Sequence, residues 1–400
     1  MSEWKEYKYT ELCSIIGGGT PKTSETSYWG GNIPWLSVKD FGNVCKYVYF
    51  TEKSITQKGL EHSSTNLLQE NDIIISARGT IGAMAMIPFP MAFNQSCFGI
   101  RGNELVNKHF LFYLTRTKIT ELQKNSHGSV FETITKDTFA NIKCYIPSIN
   151  EQQKIAAILS SLDDKIAVNR KISENLEQQA QALFKSWFVD FEPFKDGEFE
   201  ESELGRIPKG WKVMSLTDIA DYLNGLAMQK FRPSEGEKDL PVLKIKELGN
   251  GSCDSSSDRC SANISPEYII ENGDIIFSWS GTLLVDIWCG GRCGLNQHLF
   301  KVTSNNYPKW FYWLWTAKHL ENFKFIARDK AVTMGHIKRS HLQEALVVVP
   351  NEETFKKADS IFAPIIDHII ESRIESQNLS QLRDTLLPKL MSGELKVNEI

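Results

Sequence analysis

The chain repeats itself, and this constrains its fold more than any other feature of the sequence. The segment NDIIISARGTIGAMAM at 71–86 returns as GDIIFSWSGTLLVDIW at 273–288, an offset of 202 residues. The same offset pairs Asn94 with Asn296, Gln95 with Gln297 and Lys136 with Lys338. An ordered series of matches at one offset is the signature of a duplicated structural unit. The 400 residues are therefore read as two copies of about 200 residues each.

A long helical segment is predicted after each copy. Residues 151–188 contain no Pro or Gly and are rich in good helix formers. Apolar residues recur at heptad spacing along them, and a second seam follows 203 residues later, which is typical of a coiled coil. The predicted seam consists of Leu159, Leu162, Ile166, Asn169, Ser173, Leu176, Leu183, Phe362, Ile365, Ile369, Ser372, Ser376, Leu379 and Leu386.

Polar residues interrupt both seams at their centre. If the two helices run antiparallel, Asn169 and Ser173 should face Ser376 and Ser372, and such a layer fixes the register of a helix pair. A helix of about 35 residues would span about 50 Å. The alternative is two amphipathic helices that pack separately, each on its own domain.

The sequence predicts an α+β fold with two duplicated mixed α/β domains, separated by two long antiparallel helices in a coiled coil with pseudo-two-fold symmetry. Short β-rich runs bounded by turn residues alternate with helical patches in each copy. The predicted order is a first domain at 1–148, a helix at 149–188, an extended acidic linker at 189–210, a second domain at 211–350 and a helix at 351–400.

The net charge of −4 argues at first against a nucleic-acid ligand, whose usual partner is a basic protein. By segment, residues 1–148 hold 15 basic and 13 acidic side chains and residues 211–350 hold 16 and 15, so the acidic excess lies in the helices and linker. The domains are weakly basic, and we expect the chain alone to bind DNA poorly at physiological salt.

Several function classes lack support in the sequence. No apolar run long enough for a membrane span and no signal peptide are visible, and the eight cysteines are scattered, which favours a reduced, cytoplasmic protein. Nucleotide-binding, zinc-protease and hydrolase motifs are absent, as is the Asn-Pro-Pro-aromatic run of amino-methyltransferases. Cys289, Cys293 and His298 lack the spacing of a zinc site. We therefore predict no catalytic residue and no metal.

Polar side chains at the repeated turns suit contacts to DNA. Asn and Gln can read adenine, Arg can read guanine, and Lys, Ser and Thr can bind phosphate. Residues that both copies share are expected to be structural, such as the pairs Asp72/Asp274, Gly79/Gly281 and Asn94/Asn296. Positions that differ between the copies are better candidates for reading DNA bases, namely Arg78 against Ser280 and Ser96 against His298. The predicted DNA-binding set is Lys39, Arg78, Thr80, Gln95, Ser96, Lys136, Lys244, Lys246, Ser280, Thr282, Gln297, His298, Lys338 and Arg339.

The motifs resemble the specificity subunit of type I restriction–modification enzymes. GGGTPKTSETSYWGGNIPWLSVKD (17–40) looks like its N-terminal signature, IPSINEQQKIAAILSSLDDKI (146–166) like its central helical region and LRDTLLPKLMSGELKV (382–397) like its C-terminal helical end. The resemblance covers essentially the whole chain. NGLAMQKFRPSEGE (224–237) departs from the GGTPKTS pattern, which suggests a different second target.

The resemblance implies a function. Each domain would read one part of a bipartite, gapped site in double-stranded DNA, and the helices would act as a ruler of about 15 base pairs. The helices would dock two methyltransferase subunits, which bind S-adenosylmethionine, and restriction/translocase subunits using ATP and Mg would complete the complex. This chain would be non-catalytic, without a cofactor and without a membrane partner. The alternatives are a stand-alone DNA-modifying enzyme and a two-lobed protein-binding scaffold.

Overall fold

The computed structural model of the chain describes residues 4–42, 45–124, 133–329 and 335–397. The chain forms two compact units. The first unit joins the N-terminal part, up to Ala167, to the chain from Leu379 onward, and the second unit is Val168–Asn378. The two ends of the chain therefore belong to the same unit.

The first unit is built on small sheets flanked by helices. Its described strands are β1 (Lys5–Lys8), β2 (Cys13–Gly17), β3 (Trp29–Leu36), β4 (Lys53–Ile55), β5 (Leu67–Leu68), β6 (Ile73–Ser76), β7 (Met84–Met86), β8 (Met91–Phe93), β9 (Cys97–Gly102) and β10 (Lys143–Ile146). Its helices are α1 (Tyr9–Leu12), α2 (Gln57–Glu61), α3 (Lys108–Lys124), α4 (Lys136–Ala140) and the first half of α5 (Ile149–Phe188). The strand orders are β2-β9-β6-β7, β4-β3-β8-β5 and β1-β10.

The second unit repeats this arrangement. Its described strands are β11 (Phe199–Ser202), β12 (Gly205–Pro208), β13 (Lys212–Ser215), β14 (Asp221–Asn224), β15 (Asp239–Leu243), β16 (Arg259–Ser261), β17 (Ile269–Ile270), β18 (Ile275–Ser278), β19 (Leu284–Ile287), β20 (Cys293–Leu295), β21 (Leu299–Thr303) and β22 (Leu346–Val349). Its helices are the second half of α5, α6 (Leu216–Ile219), α7 (Ile245–Asn250), α8 (Lys309–Asp329), α9 (Arg339–Glu344) and most of α10 (Glu352–Ser392). The orders β14-β21-β18-β19, β16-β15-β20-β17 and β13-β22 match those of the first unit strand for strand.

The residues shared by the two copies have structural roles. The Asp72 carboxylate accepts a 2.8 Å hydrogen bond from the Gln69 amide, and the Asp274 carboxylate accepts a 2.9 Å bond from the Glu271 amide, so each closes the turn before a buried strand. Gly79 and Gly281 adopt φ angles of +76° and +65°, which a residue with a Cβ rarely takes. These structural roles explain why both copies have the same amino acids at these positions.

The long helices are antiparallel within the second unit. The Asn169 amide donates a 2.6 Å hydrogen bond to Glu375, and the Trp187 ring packs on Phe362, so residue numbers rise along α5 as they fall along α10. This confirms the predicted helix pair. The partner of Asn169 is Glu375, not Ser376, because the longer side chain reaches the buried amide.

None of the predicted seam residues is exposed. Six are buried, namely Leu159, Asn169, Ser173, Phe362, Ile369 and Ser372. The others are half-buried: Leu162, Ile166, Leu176, Leu183, Ile365, Ser376, Leu379 and Leu386. The ends of the helices also contribute to the cores of the two units. Leu159 and Leu390 lie in the core of the first unit. Phe188 and Phe362 lie in the core of the second unit, together with Trp310 and other buried aromatic residues.

The segment 189–210 differs from the extended connection that its composition predicts. It contains a 3-10 turn at Glu192–Phe194 and an antiparallel hairpin of β11 and β12. Gly205 turns the hairpin at a φ of +85°, and the Ser202 hydroxyl donates a 2.6 Å hydrogen bond to the Gly205 carbonyl. Local turn chemistry therefore outweighs the acidic composition.

Within the described ranges, no helix is long and apolar enough to cross a membrane. The same part of the chain holds no cluster of three or more His, Cys, Asp or Glu side chains that could bind a metal. Within the residues that the structure describes, no disulfide joins any of the eight cysteines.

Candidate nucleic-acid interface

Polar side chains gather in the second unit at the point where two parallel strands end. Val242 of β15 pairs with Gly294 of β20, and Leu243 pairs with Leu295, so the carboxyl ends of the strands are adjacent. The segment 244–246 follows β15 and the segment 296–298 follows β20. Together they open onto a groove of about 820 Å³.

The groove is rich in hydrogen-bond donors. Its polar lining has four basic side chains, three amides, one imidazole and one carboxylate: Arg232, Lys244, Lys246, Arg259, Gln229, Asn296, Gln297, His298 and Asp258. Predicted residues from distant parts of the second copy thus come together on one surface. The cationic side chains suit the phosphates of a nucleic acid, and the amides suit the polar edges of its bases.

Two of the cations are held by ion pairs. Lys244 is hydrogen-bonded to Asp258, and this bond lowers the pKa of the Asp258 carboxyl. Arg259 binds both oxygens of Asp239, at 3.0 and 2.6 Å. Lys246 makes a long contact of 3.4 Å with the Ser256 hydroxyl.

Three chain segments meet beside this groove. The Trp279 amide donates a 3.4 Å hydrogen bond to the His298 carbonyl, and the Ile337 amide donates a 3.0 Å bond to the Trp279 carbonyl. The turn after β18, the turn after β20 and the segment before α9 are thereby joined by backbone bonds. These segments carry the predicted residues Ser280, His298 and Lys338.

The first unit has the same backbone network. The Ala77 amide donates a 2.8 Å bond to the Ser96 carbonyl, and the Ile134 amide donates a 3.1 Å bond to the Ala77 carbonyl. The segments that carry Arg78, Ser96 and Lys136 are therefore brought together in the corresponding way. This repeated network is a frame in which the side chains differ between the copies.

Most of the predicted contacts are accessible. The exposed ones are Lys39, Arg78, Thr80, Gln95, Lys136, Lys246, Thr282, His298, Lys338 and Arg339, and Ser96, Lys244 and Gln297 are half-buried. Besides the groove residues described above, Gln95 and Arg339 have protein partners of their own. The Gln95 carbonyl accepts a hydrogen bond from the Thr20 hydroxyl, and Arg339 donates a 3.2 Å bond to the Tyr222 carbonyl.

Ser280 is the exception. It is 3% exposed, and its hydroxyl lies 3.1 Å from Nδ1 of His298. A side chain at that depth orients the exposed imidazole instead of meeting a ligand itself. The predicted direct DNA contact of Ser280 is therefore corrected to a positioning role, because the turn that follows β18 folds its side chain inward.

Sequence reasoning missed several groove residues. Gln229, Arg232, Asp258 and Arg259 line the groove but lie in segments that do not repeat. The Trp279 ring also packs against the rings of His298 and His336, at centroid distances of 6.0 and 5.7 Å. The one available signal was the departure of residues 224–237 from the pattern of the first copy.

A glycine that both copies keep lies directly beneath this surface. A Cβ on Gly18 would lie 2.0 Å from the Asn94 carbonyl oxygen, and a Cβ on Gly225 would lie 2.3 Å from the Asn296 carbonyl oxygen. Only glycine lets the loop approach the Asn-Gln turn this closely. The altered segment of the second copy has therefore kept the residue that the frame requires.

The comparisons with known proteins give one family. A sequence model described as "Type I restriction modification DNA specificity domain" matches residues 1–178 and again 208–382. The type I restriction enzyme MjaIX specificity subunit of Methanocaldococcus jannaschii is 34% identical, with all of this chain and 95% of that protein covered. The HindI specificity subunit of Haemophilus influenzae is 24% identical, with 99% and 100% covered.

A solved structure shares the fold. The crystal structure of a type I restriction–modification S subunit from M. genitalium superposes with a TM-score of 0.53 at 16% identity. The superposition covers 97% of this chain and 96% of that one.

Proposed function

Because the chain belongs to the family of type I restriction–modification DNA specificity subunits, we propose that its two halves each read one part of a bipartite, gapped DNA site. Residues 1–148 and 211–350 would be the two target recognition domains. Residues 149–188 and 351–400 would be the helical spacers, and 189–210 the linker between the halves.

The observation that carries this proposal is the repeated frame with unequal side chains. Both copies join the same three segments by the same backbone hydrogen bonds, yet Arg78 and Ser96 of the first copy correspond to Ser280 and His298 of the second. Two domains that read two different sequences must differ where they touch bases.

The polar groups of the groove fall into two classes, those that would hold phosphates and position the domain and those that would read base edges. Lys246 is exposed and weakly bound, so it is free to contact a phosphate. His298 and Gln297 offer directional hydrogen bonds to base edges. In the first domain Lys39, Thr80 and the amide of Gln95 would have the corresponding roles.

The chemistry of restriction and modification would belong to other subunits. Two methyltransferase subunits, docked on the helical spacers, would bind S-adenosylmethionine and methylate DNA. A restriction/translocase subunit would use ATP and Mg. This chain would supply the target sequence and no catalytic group, and its cellular place would be the cytoplasm.

Selection from a randomised duplex library tests the proposal. The full chain with its methyltransferase partner should retain duplexes that carry two short motifs at one fixed spacing, and the partner alone should retain none selectively. Methylation or cleavage of DNA by the purified chain alone would instead favour a stand-alone enzyme. Retention without sequence preference by the complex would favour a scaffold.

A further inference from the structure

Gln229 and Arg232 occupy a particular place in the groove of the second unit. Gln229 lies on the 3-10 turn Met228–Lys230 and Arg232 follows it, in the connection from β14 to β15. Both side chains are exposed and line the groove. Neither makes a hydrogen bond or a close ion pair with any other residue that the structure describes, and Arg232 attracts the Asp258 carboxylate from beyond hydrogen-bonding distance.

Two of the three other groove cations contrast with Arg232. Lys244 is bonded to Asp258, and Arg259 binds both oxygens of Asp239. An arginine whose five donors are all unused, in a groove where its neighbours are paired, is available for a ligand. The Gln229 amide, with two donors and one acceptor unused, is available in the same way.

The segment that carries these residues varies inside a fixed frame. The number of residues from Gly225 to Leu243 equals that from Gly18 to Leu36. The start of each segment is fixed by the same kind of bond, from the Leu226 amide to the Leu295 carbonyl at 3.0 Å and from Gly19 to Phe93 at 2.9 Å.

Between these fixed points the two copies fold differently. The first copy has its 3-10 turn at Thr26–Tyr28 and the second at Met228–Lys230. By residue count, Arg232 corresponds to Glu25, a side chain of opposite charge that is bonded to Ser27. The two segments thus have the same length but a different turn and, at one position, a side chain of opposite charge. Such variation is expected when two corresponding segments read different DNA sequences.

The chemistry of the two side chains favours base edges over phosphates. The planar fork of an arginine matches O6 and N7 of guanine, and a glutamine amide matches N6 and N7 of adenine. The Asp258 carboxylate in the same groove repels phosphate, whereas it can accept a hydrogen bond from the amino group of cytosine. A groove with a guanidinium, an amide and a carboxylate therefore suits the major-groove edges of base pairs.

We propose that Arg232 and Gln229 determine the specificity of the second half, Arg232 by binding a guanine and Gln229 by binding an adenine in the part of the DNA site that this half reads. Lys246 then holds a phosphate and positions the domain. This assignment rests on the proposed function of the groove.

The test is a library selection with the full chain and its methyltransferase partner, using the variants Arg232→Lys, Arg232→Ala, Gln229→Ala and Lys246→Ala. Arg232→Lys keeps the charge but loses the bidentate fork. We expect both Arg232 variants to lose about 5- to 150-fold of the preference for guanine at one position of the second part. Gln229→Ala should relax an adenine position by a similar factor.

Lys246→Ala should behave differently. It should weaken binding to all sequences alike and make the salt dependence shallower by about one unit of slope. Arg292→Ala removes an exposed arginine outside the groove and should change neither quantity. An unchanged preference at the other positions of the second part shows in every case that the altered second unit is folded.

Two outcomes would overturn the inference in distinguishable ways. If Arg232→Lys retains the full guanine preference, Arg232 acts as a charge and its reading role is wrong, while the groove still binds DNA. If neither the Arg232 variants nor Lys246→Ala changes binding of the second part, the groove itself is not the DNA site and the proposed function of this surface fails.

Discussion

Arg383 of α10 donates a 2.6 Å hydrogen bond to Asp163 of α5 within the first unit, and the two side chains are only 8% and 5% exposed. Asp163 also accepts a 2.5 Å bond from the Tyr113 hydroxyl, so α3 is tied to the same carboxylate. A buried ion pair adds little net stability, because the desolvation of the two charges offsets their attraction. Loss of one partner, however, leaves an uncompensated charge.

Arg383→Met should therefore destabilise the first unit by about 3–5 kcal/mol, because the Asp163 carboxylate stays buried without its cation. The double variant Arg383→Met/Asp163→Leu should recover part of that loss, since both members of the buried pair are gone while the Tyr113 hydroxyl loses its acceptor. Urea unfolding of the full chain measures both. Lys143→Ala, which removes an exposed pair with Glu6, is the control and should leave the urea midpoint nearly unchanged, because solvent screens an exposed pair. A double variant as unstable as the single one would contradict this account.

Gly18→Ala and Gly225→Ala should each impair one half of the chain. The added Cβ would collide with the carbonyl of Asn94 or Asn296 and displace the Asn-Gln turn. We expect Gly18→Ala to weaken recognition of the first part of the site and Gly225→Ala that of the second, each by at least about tenfold, the equivalent of about 1.4 kcal/mol. Competition binding with duplexes altered in one part measures this. Gly17→Ala and Gly249→Ala have open space around the new Cβ and should bind as the unaltered chain does.

Arg78→Ala and His298→Ala should act on opposite parts of the site. Each side chain is exposed on the repeated frame of one copy. Loss of one such base contact should cost about 1–3 kcal/mol at one position. Binding titrations with single-base variants of the target give the position affected. Either variant relaxing both parts equally would show that the copies do not read separately.

Helix length should set the spacing of the recognised site. Each long helix belongs in part to both units, and one heptad adds about 10 Å, or about three base pairs. One heptad inserted in both α5 and α10 should lengthen the preferred gap by about that amount. The same insertion in α5 alone should abolish binding to any bipartite site, because the seams lose their register. An unchanged gap after the double insertion would refute the ruler.

The sequence was sufficient for the duplication and the long helices, because both are written in local periodicity and a fixed offset. The pairing of β15 with β20 was not predictable in this way. These strands are joined by long-range parallel pairing, and no local pattern shows that 244–246 would lie beside 296–298. The groove was therefore foreseen as separate candidates and not as one surface.

The misjudged residues have similar causes. Ser280 was predicted to be accessible because it follows a strand at a glycine turn, but the turn directs its hydroxyl to His298. Gln229 and Arg232 were missed because they lie in a segment whose sequence differs between the two copies, and a comparison of the copies finds only the residues that they share. When two duplicated domains recognise different DNA sequences, the segments that differ between them are expected to determine the sequence specificity.

The central claim is that each half of the chain reads one part of a gapped site. Methylation-sensitive sequencing of a genome that expresses the chain with its methyltransferase partner tests it most directly, with Arg78→Ala and His298→Ala expressed in parallel. The account predicts one bipartite motif with a fixed gap, whose first part alone is relaxed by Arg78→Ala and whose second part alone is relaxed by His298→Ala. A continuous motif, or one in which either variant alters both parts, would contradict it.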